Sequence, residues 1–394
     1  MKHKKVAKLG IVFALAISIL TNSVGNMFAQ QEGQVEEYTS EDHGNEGEVT
    51  IKEEIAISEE SIEESLKLEI SEIEEKGENT GKEKQTASYT LSKSKFQSIH
   101  LNQPYLTHVE FTDQPLPEEV PNIDLSENGD GSVVGNIVNI VNVGLKLIVT
   151  TNTPGVKVKF PSDSSNLFAN YKNNEYYVIT RESIDLSNVD TSEVVNMLGM
   201  FVGIWNLTNL DLSSFNTSNV NNMSYMFFSL RHLNNLNINN FDTSSVKDMS
   251  YMFDRNISLT DLDLSHFNTS NVEDMSYMFE GMSNLNNLNI SSFDTSNVEN
   301  MSYMFNGCQG LNNLNIRNFD TSSVKNMSGM FRKTRLTGLD LSHFDTSNVI
   351  DMSYMFEETS NLNNLNISSF DTSSVKNMSG MFRKTRLTGL DLSH

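Results

Sequence analysis

Leu207-Thr-Asn-Leu210-Asp-Leu212-Ser-Ser-Phe215-Asn-Thr-Ser-Asn-Val220-Asn-Asn-Met223-Ser-Tyr-Met226-Phe227 is one copy of a unit that returns through the second half of the chain. Its phenylalanine recurs at Phe241, Phe267, Phe293, Phe319, Phe344 and Phe370, with Val189 in the same place one turn earlier. The spacing is 26 residues except for a single 25. Self-similarity at this length means stacked supersecondary units, because one unit cannot bury its own apolar face. Leu-x-x-Leu-x-Leu/Ile predicts a short strand whose alternate side chains point inward. Asp/Asn-Thr-Ser then offers N-cap oxygens. Val-x-x-Met-x-x-Met-Phe places apolar groups at i, i+3, i+6 and i+7, one face of a short helical turn. Two turns of helix do not persist alone in water, so neighbouring repeats must hold them.

A period in the twenties with L-x-x-L-x-L is the leucine-rich-repeat signature. The expected fold is therefore an α/β repeat solenoid, a right-handed superhelix of short strands and short helical turns. About eight repeats fill 183–394, the last incomplete, and a small β-rich cap precedes them. Sixteen of the 19 methionines fall on two ladders, from Met197 and Met200 to Met378 and Met381. Thioether arrays bind soft copper, but these positions coincide with the inward face, where Met is a common core filler. Cys308, the only cysteine, falls between Phe305 and Leu311, where a small buried residue fits. A lone cysteine excludes a disulfide framework.

Outside the repeats three segments differ. Residues 1–29 read as a signal peptide: Lys2, Lys4, Lys5 and Lys8, then a 12-residue apolar run from Leu9 to Leu20, then small residues. That run is shorter than the roughly 20 apolar residues a bilayer needs, and no second run follows, so no transmembrane segment is expected. Residues 30–87 form an acidic spacer. Between Gln31 and Gln85, 19 Asp/Glu face 5 Lys/Arg, which accounts for 14 of the 23 net negative charges. Such a stretch cannot bury enough apolar area to offset its ordering entropy, although Ile55, Ile62, Leu66, Ile70 and Ile73 are spaced as one helical face. Residues 88–182 read as a β-rich module, with strands expected around Val134–Val143, Leu145–Thr151, Val156–Phe160 and Tyr176–Ile179.

The motifs of catalysis are absent: no H-E-x-x-H, no G-x-S-x-G, no phosphate-binding glycine loop. His266 and His343 share a repeat position three turns apart, about 14 Å at strand spacing, too far to share a metal. Outside the spacer the chain is only mildly acidic, and no nucleic-acid partner is expected, because phosphate binding needs clustered Lys/Arg. Two surfaces remain. The strand face presents Asn209 and Asp211, then Asn235 and Asn237, then Asp261 and Asp263, either wet or open to a glycan or a protein. Only the Asp261/Asp263 pair approaches what calcium requires. On the helical turns, Tyr225, Tyr251, Tyr277 and Tyr303 form a row expected to point off the buried stripe. It is either an interface, where aromatics are enriched, or cross-repeat stacking without a ligand.

The pattern F-D-T-S-x-V-x-x-M-S-x-M-F followed by L-x-x-L-x-L-x-x-F resembles the BspA-like leucine-rich-repeat surface proteins, whose repeats are of the Mycoplasma type. Phe160-Pro-Ser-Asp-Ser-Ser-Asn-Leu-Phe168 resembles that family's lead-in, and Phe305-Asn-Gly-Cys308 its turn. The resemblance covers roughly residues 135–394. It implies a cell-surface protein of Gram-positive or oral bacteria acting in adhesion or host contact, with no shared catalytic residues. The expectation is a non-enzymatic, exported display protein that binds a host or matrix protein, or alternatively a carbohydrate or the cell wall. Neither cofactor nor metal is expected. Residues Phe370–His394 repeat Phe319–His343 letter for letter and stop where the next phenylalanine should stand, so the chain is expected to be a truncated form that self-associates through its uncovered end.

Overall fold

Among the described residues only one segment is α-helical, and it lies outside the repeats. The computed structural model describes residues 51–52, 87–103, 105–117, 121–140, 144–172 and 175–387, and all fall in one compact unit, Val49–His394. The segment 1–29 read as a signal peptide, most of the acidic stretch 30–87 and the last seven residues lie outside the described residues. Within the spacer, β1 (Ile51–Lys52) pairs with a later hairpin.

The helix α1 (Lys93–Asn102) buries Phe96, Ile99 and His100. It precedes β2 (Leu106–Phe111), β3 (Ile123–Asp124), β4 (Val134–Ile140) and β5 (Gly144–Thr150). Then come β6 (Val158–Lys159), β7 (Asn170–Lys172), β8 (Glu175–Tyr177), β9 (Ser183–Asp185) and β10 (Val189–Asp190). The main sheet runs β3-β4-β5-β2-β9. The expected strands in 134–151, 156–160 and 176–179 are present, whereas α1 and β2 were not foreseen. Buried Arg181 links them, donating to the carbonyls of His100 and Leu106. It thereby satisfies the end of the helix, where carbonyls lack partners. Burial pulls its pKa down to about 9.

The cap and the repeats are continuous. β9 is the first repeat's strand, yet it pairs with β2 of the cap. The repeat register also extends upstream of 183: β6 pairs in parallel with β10, Asp163 bridges Asn196, and Phe168 stacks on Phe201 at 5.2 Å.

From there successive turns stack in parallel. The strands β11 (Asn209–Asp211) and β12 (Asn235–Asn237) pair in register, one repeat apart. The same holds for β13 (Asp261–Asp263) with β14 (Asn287–Asn289), and for β15 (Gly338–Asp340) with β16 (Asn364–Asn366). The phenylalanine ladder from Phe215 to Phe370 is buried throughout. A second ladder, Phe201, Phe227, Phe253, Phe279, Phe305, Phe331 and Phe356, is fully buried with rings stacked 5.5–6.1 Å apart. The methionine ladders lie in the core from Met197 through Met355. Cys308 is buried there too, and its thiol donates to the Phe279 carbonyl at 3.0 Å.

The expected helical turns are corrected. Val220, Met223, Met226 and Phe227 face inward as the spacing predicted, but the arc is a run of tight turns. Alternate amides leave the arc altogether: those of Met223, Tyr225, Phe227 and Ser229 donate to Asp248, Ser250, Met252 and Asp254 of the next repeat at 2.8–3.0 Å. Between them, Met226 N and Phe228 N close three-residue turns onto Met223 and Tyr225. Spacing by threes suits consecutive turns as well as a helix. Bonds to a neighbouring turn satisfy the backbone where an isolated short helix is marginal.

The expected N-caps are corrected too. Asn216 and Asp242 accept the amides of Ser218 and Ser244, two residues on, at 3.1 and 3.0 Å, the usual Asx turn. The buried threonine between them bonds across repeats. Thr217 Oγ1 donates to the Asp242 carbonyl at 2.9 Å and accepts the Asp242 amide at 2.8 Å.

Candidate functional site

Three columns of side chains run along the stack. The first is the strand face. Asn209, Asp211, Asp261 and Asp263 are exposed and Asn237 is half-buried. Their amides and carboxylates bond between repeats: Asn235 Nδ2 donates to Asn209 Oδ1 at 2.6 Å, and Asn237 Nδ2 to Asp211 Oδ1 at 2.9 Å. Asn287 donates to Asp261, and Asn366 Nδ2 to Asp340 Oδ1 at 2.9 Å. The amides of Ser213 and Ser265 reach Asp211 and Asp263 at 2.9 Å, and hold both carboxyls below the usual carboxylate range. This is a pre-ordered polar surface. Asp261 and Asp263 are engaged by Thr260, Asn287 and Ser265. No group of three or more His, Cys, Asp or Glu that could hold a metal occurs among the described residues.

The second column is the tyrosine row, and here the expected outward aim is corrected. Tyr225, Tyr251, Tyr277 and Tyr303 are half-buried and stack face to face at 4.3, 4.3 and 4.9 Å. Tyr225 and Tyr251 pack on Ala169, Val202 and Phe228, and burial pushes the phenols' pKa values up. Each tyrosine has a left-handed backbone, φ between 55° and 58°. That conformation costs an ordinary residue about 1–2 kcal/mol, and an aromatic pair returns about 0.5–1.5 kcal/mol. Stacking thus roughly offsets the strain. Two later repeats have glycine there. A Cβ on Gly329 would lie 2.4 Å from the Tyr303 ring, and one on Gly380 would lie 2.7 Å from Tyr354. The ring of one repeat therefore lies on the bare backbone of the next.

His266 and His343 are exposed, and each ring bonds a backbone carbonyl of the preceding repeat at 2.9 Å. They belong to the scaffold.

The third column follows the second phenylalanine ladder by one residue, and sequence reasoning missed it. It reads Val202, Phe228, Asp254, Glu280, Asn306, Arg332, Glu357, Arg383. Aligning the repeats and scanning the position after Met-Phe would have found it, since an apolar start turns charged. Asp254 is 1% exposed and its Oδ1 accepts no hydrogen bond. Burial first, and the neighbouring carboxylate of Glu280 second, raise its pKa well above the usual range. Burial likewise raises Glu280, whose Oε1 accepts a 2.7 Å bond from Asn306 Nδ2. Further along, Glu357 is fully buried between Arg332, 2.6 Å away, and Arg383.

The fold thus defines a tandem-repeat protein, mostly strand and turn among the described residues, with columns of polar side chains running along the stack. Its sequence matches the family described as "Mycoplasma protein of unknown function, DUF285" over residues 163–263, 255–338 and 311–394, and the chain belongs to that family. No curated protein and no solved structure matches the chain. No helix among the described residues is long and apolar enough to cross a membrane.

Proposed function

We propose that the chain is a non-enzymatic, exported surface protein of the BspA-like kind. In this reading the stack is a right-handed leucine-rich-repeat solenoid, delivered by the signal peptide at 1–29 and held off the surface by the acidic spacer. Its task is adhesion to a host or matrix protein. The observation that supports this most directly is the strand face: exposed Asn209, Asp211, Asp261 and Asp263, pre-ordered by bonds between repeats. Pre-ordered polar groups lower the entropy cost of binding. The tyrosine row, being self-stacked, is assigned to the scaffold, and the strand face takes over as the contact surface.

The test compares adhesion of the full chain to immobilised matrix proteins with adhesion to purified wall polysaccharide. Replacing Asn209, Asp211, Asp261 and Asp263 together with Ser should abolish protein adhesion and leave circular dichroism unchanged. Adhesion surviving that replacement would remove the strand face from the reading. Adhesion to wall polysaccharide alone would favour the carbohydrate alternative.

A further inference from the structure

The single 25-residue spacing has a structural source. Five residues separate Phe305 from Leu311, but only four separate Phe331 from Leu336, and again four separate Phe382 from Leu387. Both shortened turns carry the same four residues, Arg332-Lys-Thr-Arg335 and Arg383-Lys-Thr-Arg386. In each the threonine closes the turn: Thr334 Oγ1 donates to the Phe331 carbonyl at 2.9 Å, and Thr385 Oγ1 to that of Phe382 at 3.0 Å. The cations are therefore carried on tight, repeated geometry.

Their neutralisation is incomplete. Glu357 serves both Arg332 and Arg383, and Glu358 pairs with Lys384 at 2.5 Å. Lys333, Arg335 and Arg386 make no ion pair among the described residues, and Arg335 and Arg386 are exposed. Arg335 reaches only a neutral partner, Gln309 Oε1 at 3.4 Å. In a chain of net charge −23, this is a local cationic edge. It borders a groove of about 510 Å³ lined by Arg335, Gln309, Asn284, Asn286, Ser283 and Thr260. The groove offers amides and hydroxyls, and its lining contains no aromatic ring on which a nucleobase would stack.

We propose that the two short basic turns and this groove bind an acidic polysaccharide. Guanidinium groups recognise carboxylates in a paired, planar geometry. The amide and hydroxyl lining suits the sugar hydroxyls between the acidic units. The two turns are two repeats apart, about 10 Å at strand spacing, which suits a polymer with one carboxylate per disaccharide. This site adjoins the strand face, since the lining residue Thr260 donates to Asp261, but its cations lie on the turns and not on the strands.

The experiment measures binding of a fluorescent hyaluronan octasaccharide to the full chain at low salt. A neutral dextran octasaccharide and a single-stranded DNA oligonucleotide of similar length serve as comparisons. Hyaluronan should bind, dextran should not, and binding should weaken as salt screens the charges. The triple variant Lys333→Gln, Arg335→Gln, Arg386→Gln alters exposed or half-buried groups outside ion pairs, so it should keep its circular dichroism. It should lose about tenfold or more in affinity. Absence of hyaluronan binding, equal binding of dextran, or an unchanged triple variant would each overturn the proposal. Tighter binding of the DNA would overturn it in favour of nucleic acid. If the triple variant failed to fold, Arg335→Lys and Arg335→Gln compared at constant fold would decide. Equal affinities for wild type and both would again overturn it.

Discussion

The repeats around residues 225–306 and those around 329–383 share one backbone plan, yet they manage the same two columns in opposite ways. In the first region the left-handed position is tyrosine in every turn, and the rings stack on each other. In the second, glycine alternates with tyrosine, and each ring rests on a bare turn. The column after Met-Phe differs as sharply. The first region places Asp254 beside Glu280 with an amide as the next neighbour, whereas the second places Glu357 between two arginines. Stacking therefore constrains backbone and core, while a column need only be compatible from one turn to the next. Each column can drift in chemistry along the protein, and the drift sets where charge is stored and where it is neutralised.

The strongest way to break this comparison is to remove the shared carboxylate. Glu357→Ala leaves the half-buried Arg332 without its partner, and breaking a buried pair typically costs about 3–5 kcal/mol. Chemical denaturation should show that loss, with hydrogen exchange localising it to the turns from 332 to 383. A loss no larger than that of an exposed ion pair would mean the triad is solvated.

The tyrosine column offers a smaller effect. Gly329→Ala should destabilise through its left-handed backbone, by about 1–2 kcal/mol, and further through the clash with the Tyr303 ring. Made in a Tyr303→Ala background, the same change should cost only the backbone part. A double-mutant cycle showing no coupling would contradict the ring-on-glycine packing.

The smallest expected effect concerns the acidic pair and has the opposite sign. The folded pKa values of Asp254 and Glu280 lie above their ordinary ones, so their contribution favours the fold at low pH. It is lost as pH rises from the ordinary carboxylate range through the raised values. Glu358, held below its ordinary value by Lys384, behaves in reverse: its stabilisation is present above that range and lost on acidification. Lowering the pH from about 7 to about 5 should thus increase hydrogen-exchange protection near 254–306 relative to 332–384. Glu280→Gln should stabilise the protein near neutrality by about 1–2 kcal/mol, the general scale of a buried polar pair, and the gain should fade on acidification. Stabilisation that does not vary with pH would mean that Glu280 is not held above the ordinary carboxylate range.

Much of this was legible in the sequence. The period, the two methionine ladders, the Phe215–Phe370 ladder and the buried place of Cys308 all follow from which positions repeat as apolar. The structure finds these side chains inside, except Met378 at the end of its ladder, which is exposed. The strand face was legible for the same reason, since alternation along Asn209-Leu210-Asp211 leaves the polar residues outside. The helix α1 was not, because Lys93–Asn102 mixes polar and apolar residues without a marked apolar stripe. Its place is set by burial of Phe96 against Phe111 and Phe168.

By itself the sequence determined the repeat length, the inward positions and the absence of a second apolar run, because these depend only on the spacing of residue types along one chain. Tertiary structure alone decided the rest. The arc from Val220 to Ser229 became turns because its alternate amides bond to the next repeat. The tyrosines became half-buried because each ring packs on its neighbour one turn away. Asp254 and Glu280 on one hand, and Arg332, Glu357 and Arg383 on the other, became an acidic pair with only the distant Arg255 beside Asp254 and a closely paired triad, because stacking brings residues 25 or 26 positions apart side by side. Those are relations between turns, and only the stacked chain brings them together.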